Sequence, residues 1–356
     1  MLIKAKAPAR IDLAGGTLDL WPLHLFFENA ATINCAIDQY AEVEIEVGVP
    51  TKVAHSSSIE LISEDRGEGH RFTSFGELVE SFGGSSKASA LSPALWLHAK
   101  TVRHFYGFWR DTAPIQVKTR CASPAGAGLG GSSALNIALC VALRELTRAN
   151  YGDEELIGLA RDLETTVIEV PAGVQDYWSA LFGGPLALHM EPGRFHRKIF
   201  YKQSKFIQDH IILCYSGQSR NSGINNWAVY KGFIDRDQKM RQAFEGIVRA
   251  TGMVEEALEK QNFEVFAKGI DLEWGARQTL APTIATPEML AVIAHARTKG
   301  AVAAKVCGAG GGGCFIIVAP ADKKQSVVAG LAEWQDRGMS IIDFKVAESG
   351  CKAEVF

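Results

Sequence analysis

Apolar and polar residues alternate with period two through Ala41-Glu-Val-Glu-Ile-Glu-Val47 and again through Pro114-Ile-Gln-Val-Lys-Thr-Arg120, which predicts half-exposed strands. Helical patterns follow over residues 91–106, 132–149 and 153–168, and a glycine-rich turn at Phe182-Gly-Gly-Pro185 leads into the strand-like run 186–190. Together these read as one α/β domain. A polar, basic stretch at 191–205 separates it from Ile211-Ile-Leu-Cys-Tyr215, the expected first strand of a second domain. Beyond that lie helical patterns at 239–260, 263–276 and 287–299, then strands at 314–319 and 341–346. The expected division is therefore residues 1–205 and 206–356.

Composition narrows the partners. The 37 basic and 40 acidic residues leave a formal net charge of −3, so no basic field favours nucleic acid or an anionic membrane. The seven cysteines show no C-x-x-C spacing and several sit in apolar runs, which points to a reducing compartment without structural zinc. The nine histidines show no H-E-x-x-H spacing. The N-terminus lacks the apolar core of a signal peptide, and no run reaches the roughly 18 apolar residues of a membrane span, so a cytoplasmic location is expected.

Candidate chemistry centres on Pro124-Ala-Gly-Ala-Gly-Leu-Gly-Gly-Ser-Ser-Ala134, a glycine loop opening onto a helix. Unpaired N–H groups at a helix start, reached closely through glycines, make an anion site, here expected for a nucleotide. Its contacts would come from Pro124, Gly126, Ala127, Gly128, Leu129, Gly130, Gly131, Ser132, Ser133 and Ala134. A Walker-type loop needs a lysine before the serine, and none is present. A dinucleotide fold needs a strand running straight into the first glycine and an acid closing a second strand, but Pro124 intervenes and the stretch 148–155 is polar.

Two further glycine motifs flank this loop: Ala7-Pro-Ala-Arg-Ile-Asp-Leu-Ala-Gly-Gly-Thr-Leu-Asp19 and Lys305-Val-Cys-Gly-Ala-Gly-Gly-Gly-Gly-Cys314. In this order and spacing the trio resembles the signature motifs of the GHMP kinase superfamily, to which galactokinase, homoserine kinase, mevalonate kinase and phosphomevalonate kinase belong. The resemblance implies a two-domain α/β (α+β) fold, with an N-terminal domain of the ribosomal protein S5 domain 2-like type and a C-terminal ferredoxin-like domain. It implies ATP and Mg²⁺, with Ser132 and Glu164 as metal ligands and Glu169 as the rival acid. Asp176 resembles the catalytic aspartate, supported by Arg10, where mevalonate-type members usually carry lysine. Asp19, with Gly16 and Thr17, would meet substrate hydroxyls, and Gly308, Gly310 and Gly311 would rim the site.

Within the sugar branch, residues 10–16 look like fucokinase, while 32–40, 175–177 and 216–222 look like bacterial heptose 7-phosphate kinases. Gly15-Gly-Thr-Leu-Asp19 departs from the heptose-kinase pattern Gly-Gly-Gly-Thr-Asp, and Gly131 replaces the first serine of the usual pair. Ser219 and Arg220 either reach the acceptor or form a local turn, and Trp178 either lines the sugar pocket or belongs to the core. The expected partner is a small sugar or sugar phosphate, with a homodimer possible. The alternatives are a mevalonate- or homoserine-type kinase and a non-catalytic sugar sensor.

Overall fold

The computed structural model describes residues 1–48, 57–82, 91–109, 111, 113–219, 222–280 and 283–356. Its first sheet has eight strands: β1 (Leu2–Ala14), β2 (Ala31–Val47), β3 (Ile59–Ser63), β4 (Glu68–Phe72), β5 (Ile115–Cys121), β6 (Pro185–Glu191), β7 (Arg194–Ile199) and a C-terminal strand, Lys352–Val355. The predicted alternation in β2 works as expected. Val43 and Ile45 are buried, while Glu42, Glu44 and Glu46 face Lys6, Lys4 and Lys118 of the neighbouring strands.

Helices α1 (Phe75–Glu80), α2 (Trp96–Tyr106), α3 (Gly131–Thr147), α4 (Asp153–Ile168) and α5 (Gln175–Phe182) belong to the same part of the chain. Helix α3 packs on β1 and β2 beneath α2 and α4, which explains why Ile137, Leu139, Val141 and Leu143 are buried on more than one of its sides. The predicted helix at 91–106 instead begins with a 3₁₀ turn, Pro93–Leu95, because Pro93 stands at its first position with Ser92 as cap.

The second sheet contains β8 (Ile211–Tyr215), β9 (Ala303–Val306), β10 (Cys314–Val318) and β11 (Ser340–Ile342). Its order is β11-β8-β10-β9 with every pair antiparallel, the ferredoxin-like arrangement of two interleaved strand–helix–strand units. Helix α6 (Ser204–His210) precedes β8. Then α7 (Ser222–Ile234), α8 (Gln238–Lys260), α9 (Phe263–Gln278) and α10 (Pro287–Thr298) join β8 to β9. Finally α11 (Lys324–Gly330) and α12 (Ala332–Gln335) join β10 to β11, and the C-terminal strand is β12.

Two segments differ from the sequence pattern. The stretch 191–205 is not a plain polar connection, because Arg194–Ile199 pairs with β6 as a hairpin whose outer side chains stay polar. The expected strand at 341–346 stops at Ile342; Lys345 and Val346 turn away to bond Asp38 and bridge Ile37 in the first sheet. The two sheets share a core, in which Ile11, Leu13 and Ile33 pack with Leu213, Ile316 and Phe266. Among the described residues no helix is long and apolar enough to cross a membrane.

Candidate active site

A cavity of ≈ 440 Å³ opens along this shared core and is walled by residues from all three glycine motifs. The middle motif forms its floor. Gly126, Gly128 and Gly130 all take positive φ, and Gly130, at +71°, caps α3 so that Ser132 and Ser133 fall in the helix's first turn. Two strands pin this loop from opposite sides: Arg10 N donates to Leu129 O at 2.8 Å, and Cys314 N donates to Ala127 O at 2.7 Å. A Cβ on Gly313 would stand 2.6 Å from Ala127 O, so the third motif needs glycine there to lie against the second.

Arg10 leaves β1 two residues after a register shift at Pro8/Ala9 and is almost fully buried. Its Nη1 donates to Gly128 O at 2.6 Å, and its Nε and Nη2 reach Asp176 Oδ1 at 2.8 and 2.6 Å. Burial works against the Arg10 charge, but Asp176 and Asp12 outweigh it and hold the guanidinium above the usual arginine range. Asp176 sits in the first turn of α5, close enough to Gly130 that a Cβ there would meet its carboxylate at 3.0 Å.

Asp19 enters from the first motif. It is buried at the cavity wall, where its Oδ2 accepts from Gln175 N at 3.0 Å. Burial pushes its carboxyl up to about 6, opposed by that N–H donor and reinforced by repulsion from Asp176 and Asp12. Gly173 has to be glycine, since a Cβ there would lie 2.0 Å from the same carboxylate oxygen.

Glu164, from α4, is buried beneath the serines. Its Oε2 accepts from Ser133 Oγ at 3.0 Å and from Tyr177 Oη at 2.7 Å. Burial raises its carboxyl, and hydrogen bonds from Tyr177, Ser132 and Ser133 only partly offset this. It is a carboxylate with no cationic partner among the described residues, set beside two hydroxyls at the mouth of an anion loop. That oxygen-only donor set suits a hard divalent cation whose remaining ligands are waters and phosphates. Glu169 instead ends α4 as its C-cap, in the left-handed region.

Several expected contacts stand behind the wall. Gly16 lies against Asp12 and Arg277; Ala134 is buried in the first core; Gly310 and Gly311 fasten the third loop to Ile284, so that Gly308 and Ala309 face the cavity instead. Trp178 is 1% exposed and packs on Phe182 and Phe195, so it belongs to the core rather than the pocket. Ser219 Oγ donates to Ala125 O at 2.9 Å, and Arg220 lies outside the described residues.

Sequence reasoning missed Tyr177, Asp12, Glu273, Arg277 and the role of Lys305. The signal for Lys305 was present in its motif, as a lysine inside an otherwise apolar strand.

The family description "GHMP kinases N terminal domain" matches residues 95–184, and "GHMP kinases C terminal" matches 254–336. The chain thus carries the N-terminal and C-terminal domains of the GHMP kinases. A mevalonate kinase from Thermococcus gammatolerans is 31% identical over 224 residues, covering 60% of this chain and 62% of that one. The chain thus spans less than two thirds of that relative. The D-glycero-alpha-D-manno-heptose 7-phosphate kinase of Campylobacter jejuni is 22% identical over 365 residues, covering 99% and 98%. Among solved structures, a D-glycero-D-manno-heptose 1-phosphate kinase from Bacteroides thetaiotaomicron superposes with a TM-score of 0.73 at 21% identity, covering 99% of each chain. The GHMP kinases are ATP-using phosphotransferases, and the cavity lies where both family domains meet.

Proposed function

We propose that this GHMP kinase transfers the γ-phosphate of ATP to a hydroxyl of a sugar or sugar phosphate. The observation that carries the reading is the convergence of Arg10, Asp176 and Asp19 on one cavity lined by the glycine loop. The backbone of residues 126–131 cradles the phosphates, and Ser132 with Glu164 would hold Mg²⁺, which neutralises phosphate charge when bound. Asp176 accepts the proton of the attacking hydroxyl as the new O–P bond forms and ADP leaves. Arg10 pairs with that carboxylate beside the anionic phosphates and fixes its direction.

Asp19 supports a polyol acceptor. Its carboxylate suits a hydroxyl donor, whereas the carboxylate of mevalonate would be repelled by it. The heptose 7-phosphate kinase similarity, which runs end to end, supports the same choice. In this reading residues 1–205 supply the ATP site and the base, and 206–356 close the cavity over them.

The test is ADP release with ATP and Mg²⁺ across D-galactose, L-fucose, D-glycero-D-manno-heptose 7-phosphate and R-mevalonate. Turnover with a sugar and none with mevalonate is expected. Turnover with mevalonate alone overturns the sugar reading, and ATP binding without turnover of any acceptor favours a sensor.

A further inference from the structure

Arg277 comes from α9 in the second domain, is 1% exposed and lines the cavity. Its Nη1 donates to Asp12 Oδ2 at 3.3 Å and to Gly308 O at 3.2 Å, and its Nη2 donates to Thr17 Oγ1 at 3.0 Å. Its Nε lies 3.6 Å from Glu273 Oε1, and Lys305 Nζ closes the group on Asp12 Oδ1 at 3.1 Å and Glu273 Oε1 at 3.0 Å. Two carboxylates and two cations therefore balance in a space closed to water. Burial alone would raise the Asp12 carboxyl, but Lys305, Arg277 and Arg10 hold it below the ordinary range. Such a group gives little net stability over apolar packing. What it does give is a fixed guanidinium at one place.

That place is the substrate loop. Thr17 takes φ +78°, a conformation that suits glycine and strains a β-branched residue. The loop is built against the ion pair, since a Cβ on Gly16 would stand 2.5 Å from Asp12 Oδ2 and 2.9 Å from Arg277 Nη2. A hydroxyl that accepts from a guanidinium still has its own proton to give. Among the described residues no group receives the proton of Thr17, and Thr17 shares the cavity wall with Asp19.

We propose that Arg277 is a positioning residue that makes Thr17 a hydrogen-bond donor at the acceptor end of the cavity, so that Thr17 and Asp19 together select a vicinal diol. One hydroxyl of the diol donates to Asp19, and the oxygen of its neighbour accepts from Thr17. The selectivity part rests on the sugar-kinase reading; the positioning part does not.

Hydrogen exchange read by mass spectrometry on the free enzyme tests the positioning. Arg277→Lys is expected to speed exchange about tenfold in peptides covering residues 15–20, with α3 unchanged; unchanged exchange at 15–20 overturns it. Kinetics with D-galactose, L-fucose and D-glycero-D-manno-heptose 7-phosphate test the selectivity. Thr17→Val is expected to raise the KM of the sugar turned over about tenfold, as loss of one buried hydrogen bond implies, leaving the KM for ATP and kcat within twofold. Thr17→Ser, which keeps the hydroxyl, should stay near wild type.

Adding Arg277→Lys to Thr17→Val should raise KM no further. A wild-type KM in Thr17→Val overturns the proposal, as does an undiminished effect of Arg277→Lys in that background. Should Arg277→Lys fail to fold, Thr17→Val against Thr17→Ser decides. A wild-type enzyme that phosphorylates none of the three sugars refutes the functional reading, and the exchange experiment still decides the role of Arg277.

Discussion

Arg10 sets two of its nitrogens on a single oxygen of Asp176, Nε at 2.8 Å and Nη2 at 2.6 Å, and among the described residues Oδ2, on the Gly130 side, has no hydrogen-bond donor. The carboxylate is thereby split into an oxygen held by Arg10 and one turned towards Gly130. Because Nη1 of the same arginine holds Gly128 O, Asp176 and the glycine loop are registered to each other by one side chain.

Asp176→Asn removes the proton acceptor but keeps the shape. The expected loss in kcat is about 10²- to 10⁴-fold, with ATP affinity changed only a few-fold. Coupled ADP release and ATP titration calorimetry measure the two quantities separately. Full turnover in this variant would remove Asp176 from the mechanism.

Gly130→Ala acts on the same contact from the other side. The added methyl would sit 3.0 Å from the Asp176 carboxylate at a φ of +71°. The left-handed backbone alone costs an alanine about 1–2 kcal/mol, so a lower melting temperature should accompany a drop in kcat of roughly tenfold or more. A variant that melts earlier but turns over normally would show that the base tolerates displacement.

The raised Asp19 carboxyl gives two opposite pH trends. Its stabilising contribution is complete below the unfolded carboxylate range near pH 4 and is lost as pH rises through about 6, because the folded state binds the proton more tightly. Acceptor binding, which uses the ionised form, should instead improve over the same interval, with KM falling as pH rises through about 6. Asp19→Asn should flatten both curves. Melting temperature and acceptor KM from pH 4.5 to 7.5 provide the measurement; an unaltered KM profile in the variant would assign the titration to another group.

Glu164→Gln keeps the size of the side chain that Ser133 and Tyr177 hold. Loss of its charge should move the Mg²⁺ dependence of the rate to about tenfold higher concentration or more, while saturating Mg²⁺ recovers much of the activity. An identical Mg²⁺ titration in mutant and wild type would place the cation elsewhere.

Much of this architecture could be read directly from the chain. The period-two runs became β2 and β5, the helical pattern after Gly131 became α3, and the glycine motifs marked three walls of one cavity. These features are local: side-chain periodicity and glycine conformation act within a few residues, so neighbours in sequence suffice to reveal them. The exposed hairpin β7 and the returning strand β12 were hidden because edge pairing leaves no apolar alternation on a polar outer strand.

Sequence by itself also supplied the candidates for the proposed chemistry, namely a glycine loop at a helix start and the side chains of Arg10, Asp19, Glu164 and Asp176. It could not decide how those groups are oriented. Arg10 and Asp176 are separated by 166 positions, and Asp12 and Lys305 by 293, so only the folded chain brings each pair together. Tertiary structure likewise decided that Thr17 is held by Arg277 of α9, 260 positions away. The physical reason is that a buried charge is tolerated only where an opposite charge meets it, and that meeting is set by how the two sheets pack.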